Sequence, residues 1–530
     1  MKSSSRREWI QSAASLPFAS GAAGGASPPQ QEYRLFWGDL HNHNAIGYAQ
    51  GSLERTYEIA RGHLDFLAFT PHAQWHDMPE MPARAEQKWT QGFQVLRDNW
   101  LNVRKQAAAH NQPGKFVSFL GYEWHSSRFG DHCIYFPDDH ESLEYFDHVR
   151  KLQQFARDTR AILIPHHIAY KEGWRGANFA FFDPSVSPVM EIYSEHGLSE
   201  SDRSGWDYIT HSMGGRWTGN TMRRALKKGL RFGVIASSDD HLGYPGAYGE
   251  GLAGIYAKDL SRASLLDALR ARRTIAVTGD RIELLCRLNG HWMGSSVPFA
   301  PQRELEVSFS GKDEVERVEI LKNDRVIHRH FPEDRAPASA SWPGEALCRI
   351  EFGWGPWGAL AMTRVCDWEI GVQVSGGKLL DAWPCFQAGP FDEKRRNRIF
   401  GRTERSVEIV SYTSRQDAFA QRATNAVILR VAGGSSATLE IRVKRPSERT
   451  VRKTLGELAA DNEVEYTGPF QSESMLVHRL VTPDRFRGSF KIKDIGTRGG
   501  ADWYLARVFQ ANGHQAWSSP IWVEGRDARN

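Results

Sequence analysis

Cysteine is scarce. The 530 residues hold five (Cys133, Cys286, Cys348, Cys366 and Cys385), and no two have C-x-x-C spacing. That excludes a zinc ribbon and a dithiol redox motif. In an oxidising compartment a Cys348–Cys366 or Cys366–Cys385 bridge is open, and the odd count leaves at least one thiol unpaired. Long hydrophobic runs are also missing. No stretch of about 18 strongly apolar residues occurs, which argues against a membrane-spanning helix. Charge of one sign is thin. The net charge is +4, and residues 1–30 contribute +2 of it through Lys2, Arg6, Arg7 and Glu8, leaving +4 − 2 = +2. That is no footprint for nucleic acid. There is no G-x-S-x-G nucleophile elbow, no exact internal repeat and no low-complexity tract beyond the N-terminus.

Histidine and tryptophan are plentiful. Of 20 histidines, 15 precede residue 242, and there are 18 tryptophans. The chain opens with MKSSSRREWIQSAASLPFASGAAGGA, in which Ser5-Arg6-Arg7 leads into a weakly apolar stretch of small residues. This looks like a twin-arginine export signal, which implies a periplasmic or secreted protein. A disordered basic tail is the plainer alternative. Residues 1–30 are therefore read as signal and linker.

At about 530 residues, two to four domains are expected. From 31 to 280, short apolar runs alternate with amphipathic stretches. The runs are Arg34–Asp39, Asp65–Thr70, Phe116–Tyr122, Ile162–Pro165, Val189–Tyr193, Phe232–Ser237 and Thr274–Thr278. Between them, Arg84–His110 places Trp89, Phe93, Leu96, Trp100 and Val103 on one helical face. Six or seven such β/α units predict a parallel barrel, with an open doubly wound sheet as the alternative. From 281 to 530 the period drops to two, as in Glu304–Ser310, Val315–Leu321, Val407–Tyr412, Ala426–Val431 and Ala437–Val443. That half reads as one or two β-sandwich modules.

The early histidines fall where the predicted strands end. The first strand runs into Asp39-Leu40-His41-Asn42-His43, the second into Pro71-His72, and the third into Glu123 with His132 following. Later strands end in His166-His167 and in Asp239-Asp240-His241. In a parallel barrel these ends form one rim, where side chains two residues apart face the same way. One His-x-His is weak evidence, and a lone carboxylate weaker. Imidazole or carboxylate at nearly every strand end in order predicts a metal site. A donor set of nitrogen and oxygen without thiolate suits Zn²⁺, Mn²⁺ or Fe²⁺.

These residues resemble the PHP (polymerase and histidinol phosphatase) superfamily of metallohydrolases. The resemblance rests on Gly38-Asp39-Leu40-His41-x-His43, His72, Glu123, His132, His166 and Asp239-x-His241. It covers about residues 34–280 and implies an α/β fold with a distorted (β/α)7 barrel, followed here by the β-sandwich region. More narrowly, the chain resembles the exported carbaryl-hydrolase-like branch, down to the C-terminal WSSPIWV. Carried over, His41, His43, Glu123 and Asp239 would hold one ion. Glu123 would bridge to a second ion held by His72, His132 and His166, with His241 completing the set. Two departures stand out. Pro71 replaces the Asp of an Asp-His pair, and Asn44 and Tyr48 stand where a further histidine serves three-metal members. The resemblance thus implies two divalent ions, with three as the alternative.

The activity implied is hydrolysis by a metal-bridged hydroxide, first of a phosphomonoester or phosphodiester, alternatively of a carboxylic or carbamate ester. A binding protein that retains metal without turnover is the reading from another class. His167 and His241 are candidates to protonate a leaving group, with Glu123 as the bridging catalytic carboxylate. Trp174 and Arg175, in the aromatic segment 171–188, and Arg128 and Tyr193 are candidates for binding substrate. Arg216, like Arg128, is a candidate for meeting an anion, and Glu195 and His196, like Tyr193, are candidates for lining the pocket. Trp354, Trp357, Trp368 and Trp383 read as sandwich core before they read as a carbohydrate platform. The expected substrate is a small-molecule or glycan-linked ester, and no protein partner is evident.

Overall fold

Short strands with both faces buried dominate the first half. In the computed structural model, which describes residues 33–208, 213–333, 342, 344–355, 364–414, 423–496 and 500–525, they are β1 (Arg34–Asp39), β2 (Phe66–Phe69), β3 (His72–Trp75), β4 (Val117–His125), β5 (His132–Tyr135), β6 (Ile162–Pro165), β7 (Val189–Ser194), β8 (Gly197–Leu198), β9 (Gly233–Ala236), β10 (Leu252–Ala257) and β11 (Thr274–Val277). The twin-arginine segment and Trp357 lie outside the described residues. FLAF in β2, ILIP in β6 and GVIA in β9 are wholly buried, which is why these runs are apolar without alternation. The helices are α1 (Leu53–His63), α2 (Ala83–His110), α3 (Val149–Asp158), α4 (Met222–Lys227) and α5 (Arg262–Arg270). On α2, Phe93, Leu96, Trp100 and Val103 of the predicted stripe are buried, and Trp89 is half-buried. No described helix is long and apolar enough to cross a membrane.

The ladder departs from an all-parallel barrel. Among the eleven strands of this half, β1–β2, β2–β4, β3–β4 and β7–β9 are the parallel pairs. β4–β5, β5–β6, β1–β10 and β10–β11 are antiparallel. The reason at β4–β5 is connection length. Residues 126–131 are too few to carry the chain back for a parallel partner, so it must turn as a hairpin. β7, β8 and β9 form a separate three-stranded sheet. The end of β9 still docks on the end of β1, because Asp239 N–H donates to His41 O at 2.7 Å and His43 N–H donates to Asp240 O at 2.9 Å.

The change of pattern near residue 280 is not a break in the sheet. Gln515–Ser518 pairs antiparallel with β11, and Asp502–Gln510 pairs with both Gln515–Ser518 and Val315–Lys322, so one 14-stranded sheet draws on both halves of the chain. Beyond it lie an antiparallel four-stranded sheet and an antiparallel eight-stranded sheet. Ala426–Val431 and Ala437–Val443, expected as two strands, belong to a single strand, Thr424–Arg445, paired along Cys366–Cys385. Shifts of register around Ser375/Gly377 let the pair bend without breaking.

The tryptophans of this region do not act together. Trp368 is core, Trp354 is exposed, and Trp383 lies half-buried with Lys312 Nζ 4.6 Å from its ring centre. All five cysteines are free and buried, so neither suggested disulfide is present.

Candidate metal centre

The strand ends converge because polar side chains tie them together. Asp39, fully buried at the end of β1, accepts Ser238 Oγ–H at 2.5 Å and Gly246 N–H at 2.8 Å, fastening the β9 end alongside. Asn42 donates from its side chain to Ala68 O at 2.9 Å, which aligns the β2 end. Pro71 O accepts Glu123 N–H at 2.9 Å, so the proline in place of an aspartate orients Glu123 through its carbonyl. Asp239 (φ +56°) and His167 (φ +31°) occupy left-handed backbone conformations, strain of the kind that gathers at functional sites.

Three donors face one another at the β1/β9 junction. His43 Nε2 lies 3.2 Å from His41 Nε2 and 2.9 Å from Asp239 Oδ1, and His41 Nε2 lies 3.2 Å from the same oxygen. Glu123 Oε2 is 3.5 Å from His43 Nε2, 3.8 Å from His41 Nε2 and 3.4 Å from His72 Nε2. The other oxygen, Oε1, is 2.8 Å from His166 Nε2 and 3.3 Å from His125 Nδ1. Glu123 Oε2 therefore faces His41, His43 and His72, while Oε1 faces His125 and His166. Asp131 Oδ2 joins the Oε1 side, 2.9 Å from His125 Nδ1 and 3.3 Å from His167 Nε2.

The electrostatics suit a cation. Burial works to raise Glu123, but His125, His72 and His166 outweigh it and hold the carboxyl well below the usual range. For Asp239, burial is likewise outweighed by His41, His196 and His43. Burial pushes His72 well down, His43 to about 4 and His166 to about 3, which keeps these rings neutral as a metal ligand requires. His41 goes the other way. Asp239, Cys133 and Glu191 overcome its burial and raise it, so this proton occupies a strongly negative position.

The donor set fits a divalent metal. Glu123 Oε2, which faces the Nε2 atoms of His41, His43 and His72, is buried without a hydrogen-bond partner. Such a group is costly unless something compensates it. Two imidazole nitrogens at 3.2 Å with a carboxylate oxygen between them also need a positive charge to share. Their separations lie near the roughly 3.3 Å ligand–ligand edge expected around an ion at about 2.0–2.1 Å. Several overlapping groups, among them His41/His43/Asp239, His72/Glu123/His125, His43/His72/His241 and Glu123/Asp131/His166/His167, have the spacing to hold ions.

Seven of the eight predicted ligands (His41, His43, His72, Glu123, His166, Asp239 and His241) come together in this way. His132 sits differently. Across the β4–β5 hairpin Glu123 faces Cys133, while His132 faces Trp124, so alternation turns its ring to the other side. The ring packs 6.0 Å from Trp124, with Nδ1 3.0 Å from Gly130 O. Its neighbour Asp131 reaches the centre instead. His125 was also missed. β4 stays extended beyond Tyr122, so a residue two past Glu123 shares its face; that alternation was the available signal. Cys133 enters too, with Sγ 3.8 Å from His166 Nδ1.

The other candidates scatter. Arg175 is buried, donates from Nε to Asp131 Oδ2 at 2.6 Å and stacks on Trp75 and Trp89, so it is already engaged and not open to an anion. Trp174 points to solvent at 58% exposure. Arg128 is exposed over Phe129, away from the centre. Tyr193 donates its hydroxyl to Gly249 O at 2.5 Å and packs on Trp206. Arg216 braces backbone carbonyls of Leu198 and Ser204. His196 does reach in, with Nε2 3.3 Å from Asp239 Oδ2. His167 lies behind the centre against Asp131, whereas His241 is half-buried on the open side, its ring 4.4 Å from that of His43. Tyr48 and Trp89 complete that side, 4.2 and 5.1 Å from the His72 ring.

Residues 49–142 match a family described as protein of unknown function (DUF3604). An uncharacterized protein of Chlamydia pneumoniae is 27% identical over 258 residues, covering 44% of this chain and 41% of its own length. One from Chlamydia trachomatis serovar D is 28% identical over 329 residues, covering 56% and 49%. The chain thus spans about half or less of the length of these relatives. Among solved structures, a two-domain protein from Bacteroides vulgatus, described as containing a predicted PHP-like metal-dependent phosphoesterase, is similar at 16% identity and a TM-score of 0.31, over 57% of this chain and 83% of that one.

Proposed function

We propose that this protein is a metal-dependent hydrolase acting on phosphoesters. The observation that carries the reading is Glu123, a buried carboxylate with an orphaned oxygen between two sets of converging donors. His41, His43 and Asp239 would hold one divalent ion and His72, His125 and His166 a second, with Glu123 shared. Bound there, such ions supply Lewis acidity toward water and toward the scissile group. The chain's own residues do the rest. Glu191, 3.1 Å from His41 Nδ1, orients that ring. His241 Nδ1 faces two acceptors, Glu195 Oε1 and Asp239 O, both at 2.8 Å, so Nδ1 carries the proton and Nε2 is left to exchange one with substrate. Tyr48, Trp75 and Trp89 form an aromatic wall beside the donors and exclude water there.

One observation favours carboxylic or carbamate esters instead. Arg175, the guanidinium within 3.8 Å of Glu123, is occupied by Asp131 and is not free to neutralise a phosphate. We further infer export through the twin-arginine segment and a small or glycan-linked substrate, on the strength of the sequence alone.

The test is metal content by plasma mass spectrometry, with cleavage of p-nitrophenyl phosphate, bis-p-nitrophenyl phosphate and p-nitrophenyl acetate with and without added Mn²⁺ or Zn²⁺. About two ions per chain and metal-dependent release from a phosphate probe support the phosphoesterase. Release from the acetate alone supports the second reading. Metal without turnover on any probe leaves a binding protein, and no metal under any loading condition overturns the proposal.

A further inference from the structure

Away from the metal centre, a cavity of about 330 Å³ opens at the seam between the 14-stranded sheet and the eight-stranded sheet. Its volume is at the small end of ligand pockets. Lys312 and Asp313 line it from one side, and Leu347, Arg349, His478 and Leu480 from the other.

Arg349 is the unusual member. It is buried at 8% exposure, and among the described residues it makes one hydrogen bond, from Nη1 to the Tyr248 hydroxyl at 3.0 Å. Its nearest carboxylates, Asp280 and Glu351, stand at 3.9 Å. They balance its charge from beyond hydrogen-bonding distance and leave most of its five N–H directions unfilled. A guanidinium so placed matches the two oxygens of a carboxylate. Lys312, also buried, is already held by Glu283 at 3.2 Å and by the Trp383 ring.

The opposite charge is also present. Asp313 accepts one hydrogen bond, from Glu314 N–H, and its carboxyl is raised by burial and by Asp280, against the pull of Arg349 and His478. A simple anion would meet this carboxylate unfavourably, and a simple cation would meet Arg349. The other charges are matched: Glu314 pairs with Arg485 at 3.1 Å, and at the mouth Asp461 and Arg479 are exposed with opposite sign.

We propose that this cavity binds a small zwitterion of the α-amino-acid class with an apolar side chain. The carboxylate lies on the open edge of Arg349, the ammonium on Asp313, and the side chain against Leu347 and Leu480. The proposal does not depend on the hydrolase reading, since none of these residues belongs to the metal centre.

Isothermal titration calorimetry on the full chain tests it, with L-leucine, L-phenylalanine, 4-methylpentanoate and 3-methylbutylamine as probes. At least one amino acid should bind, and each one-charge analogue should bind at least about tenfold more weakly. Asp313→Asn should weaken the amino acid at least about tenfold while leaving the carboxylate analogue as tight or tighter, and Arg349→Gln should remove both. Asp313→Asn alters an edge loop and keeps the test decisive should Arg349→Gln not fold. No heat from either amino acid at about 10 mM, equal binding of the carboxylate analogue, or an unaffected Asp313→Asn variant would each overturn the proposal.

Discussion

Arg175 clamps Asp131 beside the metal centre. The guanidinium donates from Nε to Asp131 Oδ2 at 2.6 Å and contacts the same oxygen from Nη2, with the two side chains exposed by 8% and 0%. Asp131 in turn fixes His125 and His167, so a residue from the 171–178 loop sets the position of a carboxylate on the β4–β5 hairpin.

Removing that clamp should be expensive. Arg175→Ala leaves Asp131 buried without its guanidinium partner, held only by His125, His167 and Ser126 N–H, and breaking a buried pair from one side costs about 3–5 kcal/mol. Urea denaturation of the metal-free protein is the measurement. Arg175→Lys should recover part of the loss, since it restores charge but not the fork. A loss for Arg175→Ala below about 1 kcal/mol would remove the clamp from the account.

Metal retention should separate the residues that the hairpin register separates. Glu123→Gln and His125→Ala should each lower bound metal by about tenfold or more, while His132→Ala keeps it near the wild-type level. Plasma mass spectrometry after gel filtration reads the difference, with circular dichroism confirming the fold. Loss of metal in His132→Ala equal to that in Glu123→Gln would show that the ring turns inward.

Stability should fall in acid through Asp280. Burial tends to raise this carboxyl, but His514, Arg349, Asn512 and Gln510 outweigh burial and hold it below its usual value. A depressed native pKa means the stabilisation is complete above the unfolded value of about 3.9 and is lost as pH falls through the native one. Asp280 accepts Tyr248 O–H at 2.9 Å and the Gln510 and Asn512 side-chain amides at 2.7 Å, so the same titration loosens the seam. Denaturation between pH 2 and 6 should therefore be less steep in Asp280→Asn, which is less stable at neutral pH. Identical slopes would move the acid lability elsewhere.

The thiols offer a simple check on packing. All five are buried and unbridged. Ellman's reagent should react with almost none in the native protein and with all five in guanidinium, with no reductant needed. Fewer than five in denaturant would reveal a disulfide.

Much of the centre was legible in the sequence because strands end abruptly. Strand runs such as Arg34–Asp39 and Ile162–Pro165 coincide with the observed elements, and His41, His43, His166 and Asp239 follow from strand ends, while Glu123 lies inside β4. His125 was hidden by assuming that the third strand stopped at Tyr122, when it continues to His125. The choice between Asp131 and His132 depends on the register of a hairpin, and one residue of slip exchanges the faces. The apolar pattern of HCIY, buried throughout, does not reveal it.

The sequence by itself determined the composition of the centre: imidazole and carboxylate without thiolate motifs, placed at strand ends, ahead of a β-rich second half. Apolar runs and polar termini are local properties, and local periodicity is enough to read them. Tertiary structure decided what the residues face. It turned His132 away and Asp131 in, engaged Arg175 internally, sent Trp174 to solvent, and brought Gln515–Ser518 back to β11. Each of these depends on register or on contacts between residues far apart in the chain, and pairing at that range leaves no periodic trace in either partner alone.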